Sequence, residues 1–148
     1  MTSRLRDKWV LITGASSGFG AAAARAFASE GAKLLLGARR LERLEKVAAE
    51  SKQAGAGEVH FHFLDVCKTA SVNEFVDWSK EKIGAHTAGE TGLHVLVNNA
   101  GGAHGFETVA EGRDDDWEIM FQSNTLGVLR MVRAALPLLP HQIGRAHV

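Results

Sequence analysis

Thr13-Gly14-Ala15-Ser16-Ser17-Gly18-Phe19-Gly20 follows directly on the apolar run Trp9-Val10-Leu11-Ile12 and opens into Ala21-Ala22-Ala23-Ala24. An apolar run, a turn with closely spaced glycines and a helix-forming segment together read as strand, loop and helix. Gly14 lies where the chain leaves the strand, Gly18 lets backbone approach a pyrophosphate, and Gly20 has no side chain to hold the helix off the sheet. The free N–H groups and positive dipole end of the helix then face the phosphates, and the hydroxyls of Ser16 and Ser17 can add hydrogen bonds. Phe19 belongs to the same phosphate-cradling loop. Glycines at this spacing also make ordinary tight turns, so the surrounding pattern has to decide.

That pattern alternates along the chain. Apolar runs predict strands over 9–13, 33–38, 59–65 and 93–98, and helical periodicity predicts helices over 18–30, 41–54, 70–83 and 114–139, the last with an apolar face. Residues 84–92, rich in Gly, Ala, Thr and His, read as a surface loop. Strand and helix taking turns implies an α/β fold, a doubly wound parallel sheet of the Rossmann type in the order 3-2-1-4. Its ligand would lie at the carboxyl ends of the strands, at the switch point between the first and fourth.

The second strand ends in Gly37-Ala38-Arg39-Arg40. An NAD site usually places an acid here for the ribose 2′-hydroxyl; the acid is missing and arginines follow. A guanidinium fork suits a 2′-phosphate, so the expected cofactor is NADP, held by Arg39 and Arg40. The bland alternative is that both arginines solvate the start of the second helix.

With 148 residues, 45% hydrophobic, 23% charged and no net charge, the chain reads as one globular domain with a real core. The neutral balance lacks the basic field of a nucleic-acid partner. The longest apolar runs fall far below the roughly 20 residues of a membrane span. A polar start over 1–8 and a single cysteine, Cys67, fit a cytoplasmic, reducing address. His60 and His62 alternate on the third strand, but no third ligand of fitting spacing accompanies them, and no metal is expected.

Asp65-Val66 at the end of the third strand and Asn98-Asn99-Ala100-Gly101 after the fourth complete the pattern. With the glycine loop, in this order and spacing, the chain resembles the short-chain dehydrogenase/reductase family from residue 9 to about 141. The resemblance implies that Asp65 and Val66 lie beside the adenine. It implies that Asn99, Ala100 and Gly101 pass close to the cofactor, and that Asn98 ties strands together. Asp114-Asp115-Asp116-Trp117 is similar to the family's entry to its long helix, although acids there also cap a helix and complement its dipole. Asn124 matches the asparagine that joins a catalytic serine, tyrosine and lysine and helps hold a water in a proton relay. Within the family the chain is most similar to NADP-dependent dehydrogenases of serine and other 3-hydroxy acids. A small-molecule substrate and a homo-oligomeric parent come with the resemblance.

The chain contains no tyrosine. The family's serine and Tyr-x-x-x-Lys motif come later than residue 148, and a tyrosine must move the hydroxyl proton during hydride transfer. The polypeptide therefore reads as a cofactor-binding part, truncated after the fourth strand and the following helix and inactive by itself. The other reading is a short protein that holds a dinucleotide without turnover. Val95, Leu96 and Val97 are then expected to form an exposed apolar edge. The last six residues, Ile143-Gly144-Arg145-Ala146-His147-Val148, can be encoded by ATC GGA AGA GCA CAC GTC, similar to the start of a common sequencing adapter. The domain is accordingly placed at 1–142 and a non-native tail at 143–148.

Overall fold

Four consecutive apolar residues and the threonine that follows them can all be buried only if both faces of their strand are covered. That is the situation of β1 (Trp9–Thr13), which is buried throughout. The computed structural model describes residues 4–84 and 92–139, so the expected loop over 84–92 lies almost entirely, and the tail over 143–148 wholly, outside the described residues. β1 is followed by α1 (Gly18–Ser29), β2 (Lys33–Ala38), α2 (Leu41–Ala54), β3 (Glu58–Phe63), α3 (Thr69–Ile83) and β4 (Leu93–Val97). All strands pair in parallel, in the order β3-β2-β1-β4 expected from the sequence.

Side chains of β1 alternate between two cores. Val10 and Ile12 join Leu34, Leu36, Ala24 and Leu44 beneath α1 and α2. Trp9 and Leu11 join Leu35, Val72, Phe75 and Met131 on the opposite face. Ala21, Ala24 and Ala28 recur on the buried side of α1, and their small size brings the helix close to the sheet. β4 has β1 on one side and no strand on the other among the described residues, and Val95, Leu96 and Val97 are only half-buried.

Two departures from the sequence reading matter for the site. The β1–β4 register shifts between Trp9 and Val10, where the Trp9 N–H donates to His94 Nδ1 at 3.2 Å. The single long helix expected over 114–139 is broken into α4 (Asp114–Phe121), a π turn (Gln122–Leu126), α5 (Gly127–Ala135) and a 3-10 turn (Leu136–Leu138). In the π turn the Gly127 N–H bonds to Gln122 O, five residues back. Ser123 Oγ donates to the Ile119 and Met120 carbonyls at 3.1 and 3.3 Å, a competition with the backbone ladder that suits a local widening. Pro137, without an N–H, cannot continue the α-helical ladder. The apolar face is partial: α5 buries Gly127, Met131 and Ala135, whereas α4 buries none of its residues.

Candidate functional site

The carboxyl ends of the strands border a cavity of about 380 Å³. Gly14, Ser16, Ser17 and Phe19 line it from the glycine loop, Arg39 and Arg40 from the end of β2, Asp65 and Val66 beyond β3, and Asn99, Ala100 and Gly101 beyond β4. Gly18 and Gly20 do not line it but shape it. Gly14 and Gly18 have φ of +66° and +55°, in the left-handed region that side chains avoid. Nothing lies within 4 Å of where a Cβ on Gly18 would project, and the residue is exposed, so its backbone is bare beside the cavity-lining Ser17 and Phe19. Gly20 points inward, where a Cβ would collide with the Gly14 carbonyl oxygen and approach Asn99 Nδ2 to 2.5 Å.

The amino end of α1 has no acid in its first turn and no side-chain cap. α4 instead begins with Asp114, Asp115 and Asp116, which complement its own dipole. The α1 terminus is thus left with unanswered positive potential beside the bare Gly18 backbone, which fits a pyrophosphate. Its N-cap residue, Ser17, is engaged elsewhere. Arg40 Nη2 donates to Ser17 Oγ at 2.9 Å and to Ser16 Oγ at 3.3 Å. Arg39 is exposed and has no hydrogen-bond or ion-pair partner among the described residues. Of the two arginines, only Arg39 has an uncommitted guanidinium.

Thr13 organises the far wall. Its buried hydroxyl accepts from the Asn99 and Ala100 N–H groups at 3.0 and 2.9 Å and donates to Val97 O at 3.4 Å. Asn99 Nδ2 donates to Thr13 O and Gly14 O at 3.1 and 3.2 Å. Of the two asparagines, the one whose side chain joins Thr13 in fastening β1 to the end of β4 is therefore Asn99, not Asn98 as expected from the resemblance. Thr13 was readable as the end of the strand and the start of the glycine loop, but not as the bridge to residues 99 and 100; its signal is a polar β-branched residue directly before Gly14.

Asp65 Oδ1 accepts from the Cys67 N–H at 3.0 Å, and the Asp65 N–H donates to Ser71 Oγ at 3.0 Å. This turn presents Val66 and Cys67 to the cavity. Burial, then the neighbouring Asp65 carboxylate, push the Cys67 thiol above its ordinary pKa. His104 and Ser123 also line the cavity, from segments whose sequence gave no sign of it.

Asn124 lies in the π turn, behind the cavity wall. Its Oδ1 accepts from the Gly102 N–H at 2.9 Å, and its Nδ2 donates to Gly102 O at 2.8 Å. A Cβ on Gly101 would collide with Asn124 Oδ1. The asparagine thus buttresses the loop that lines the cavity. His60 and His62 pack rather than converge: His60 stacks on Trp9 and bonds Glu58 Oε2, and His62 lies 5.1 Å from the Trp78 ring of α3. No group of three metal-ligating side chains occurs among the described residues, nor does any helix there have the length and apolarity to cross a membrane.

The short chain dehydrogenase family profile matches residues 8–146. Serine 3-dehydrogenase of Agrobacterium fabrum is 38% identical over 135 residues, 91% of this chain and 50% of that protein. An alcohol dehydrogenase from the archaeon Thermococcus sibiricus, solved with 5-hydroxy-NADP, superposes with a TM-score of 0.80 at 41% identity, over 90% of this chain and 53% of that one. An NADH-dependent reductase solved with NAD also gives 0.80, at 29% identity over 93% and 54%. The chain spans about half the length of the relatives it matches. It belongs to the short-chain dehydrogenase family.

Proposed function

We propose that this member of the short-chain dehydrogenase family is the cofactor-binding half of an NADP-dependent oxidoreductase acting on a small hydroxy or oxo compound, with a 3-hydroxy acid as the preferred class. The observation that carries the cofactor choice is Arg39, a cavity-lining guanidinium without a hydrogen-bond or ion-pair partner among the described residues, where an NAD site would have a carboxylate. A 2′-phosphate would be its charge-assisted partner. The bare Gly18 backbone and the α1 terminus would hold the pyrophosphate, Asp65 and Val66 the adenine end, and residues 99–101 the far side. When bound, the nicotinamide supplies the hydride. Asn124 would help place the water of a proton relay, and the relay's tyrosine would come from chain length beyond this sequence.

Arg39→Ala tests the assignment. NADPH affinity should fall about ten- to a hundredfold, the worth of a charge-assisted hydrogen bond, with NADH affinity nearly unchanged. Equal losses for both cofactors would count against it.

The absence of tyrosine favours a second reading, a dinucleotide-binding module without turnover. NADPH oxidation with a panel of carbonyl compounds separates the two. This chain should be inactive under both, and only a chain extended through a serine and Tyr-x-x-x-Lys can be active under the first.

A further inference from the structure

Arg130 lies in α5, just past the π turn, and reaches back across it. Its Nη1 donates to the carbonyls of Gln122 and Val66, both at 3.3 Å, and its Nη2 donates to Gln122 Oε1 at 2.7 Å. Gln122 O also accepts the Gly127 N–H that defines the π turn, so the guanidinium occupies the second lone pair of the same oxygen. π turns are rare and persist where other contacts hold them. Two such contacts are present. Gly127 lies flat on Val66, where a Cβ would stand 2.9 Å from Val66 Cγ2, and Arg130 fastens both ends of the contact.

Asn124 sits in the middle of this turn. The register of the turn fixes the direction of its amide, and that direction allows the paired bonds to Gly102. One guanidinium therefore touches the cavity wall at Val66 and the turn that carries Asn124. We propose that Arg130 is the positioning residue of Asn124, holding the π turn in the register that pairs Asn124 with Gly102 and tying that pairing to the Val66 wall. The catalytic meaning of Asn124 rests on the function proposed above; the clamp does not, and it is testable on this chain without cofactor or turnover.

The reporters are the exchange rate of the Gly102 N–H and the Asn124 side-chain NH₂ resonances in the isotopically labelled chain. Asn124→Ala defines the rate for an unpaired Gly102. Arg130→Met, similar in length but without donors, should raise Gly102 exchange about tenfold toward that limit and move the Asn124 NH₂ signals toward free-amide positions, with Leu11 and Ile12 in β1 still protected. Arg130→Lys, with a single charged donor head, should give an intermediate rate. Wild-type Gly102 exchange in a folded Arg130→Met chain would overturn the proposal. If Arg130→Met loses protection in β1 as well, Arg130→Lys decides: an intermediate rate supports the clamp and a wild-type rate overturns it. NADPH binding does not enter these readouts, so a failed cofactor assignment would leave them unmoved.

Discussion

Arg40 Nη2 lies 2.9 Å from Ser17 Oγ, so the segment after β2 is fastened to the glycine loop by a residue that also lines the cavity. The bond gives Arg40 a task distinct from that of Arg39. It fixes the glycine loop proposed to hold the pyrophosphate that NADPH and NADH share. Arg40→Ala should therefore weaken NADPH and NADH alike, by about three- to tenfold for the loss of hydrogen bonds worth about 0.5–1.5 kcal/mol. Fluorescence titration with each cofactor checks this. A loss confined to NADPH would make Arg40 a 2′-phosphate ligand instead.

Gly18 and Gly20 should fail in different ways. A methyl group on Gly20 meets backbone at Gly14 O, which cannot move cheaply, so Gly20→Ala should cost about 1–3 kcal/mol of stability and lower the melting temperature by several degrees. Gly18→Ala faces open space and bears only the strain of its φ of +55°, about 1–2 kcal/mol. It should fold, yet lose cofactor binding if the pyrophosphate lies against the Gly18 backbone as proposed, because the added Cβ would then stand in its way. Thermal melts paired with titration distinguish them; tight NADPH binding by Gly18→Ala would contradict the placement of the pyrophosphate.

How much was readable differs from element to element. The order of the strands followed from alternation plus the glycine loop, because a buried parallel sheet demands apolar runs such as Leu34-Leu35-Leu36. The break at Gln122 was not readable. Neither Pro nor Gly marks its start, and the contacts that hold it come from Arg130 and Val66, distant in sequence. The shift at His94 had the same kind of cause, a side chain standing in for a ladder acceptor. Arg39 and Arg40 looked equivalent as a dipeptide, and only the serines of the folded loop separate them. The strand-tying role expected of Asn98 falls instead to Asn99, because it is the Asn99 amide that the Thr13 and Gly14 carbonyls face.

Acidification should loosen the β1–β4 junction. His94 Nδ1 accepts the Trp9 N–H, which requires a neutral ring, and burial first, then the positive Lys8, hold its pKa below the ordinary imidazole value. The unfolded chain thus takes up a proton earlier than the folded one as pH falls. Stability from this site is complete above the unfolded value of about 6.5 and is lost as pH drops toward the lower folded value. Glu58, held low by its hydrogen bonds to Lys33 and His60, loses its own contribution only in the carboxylate range, at lower pH. Urea midpoints measured from pH 7.5 to 5 should decline for the wild type and flatten for His94→Gln; equal slopes would refute the assignment.

Cys67 should be a sluggish thiol. Burial and the Asp65 carboxylate favour its protonated form, and thiolate is the reactive species. Alkylation followed by mass spectrometry should be slower than for a free thiol at pH 8 and accelerate as pH rises. Because Cys67 lines the cavity, saturating NADPH should slow it further. Unchanged labelling with NADPH bound would place the dinucleotide elsewhere.

The most direct test of the account is a calorimetric titration of this chain with NADPH and, separately, with NADH. Saturable binding of both, with NADPH tighter by about ten- to a hundredfold, is the predicted result. No saturable binding of either, or equal affinity for the two, would contradict a dinucleotide site built on the Gly18 backbone and the free guanidinium of Arg39.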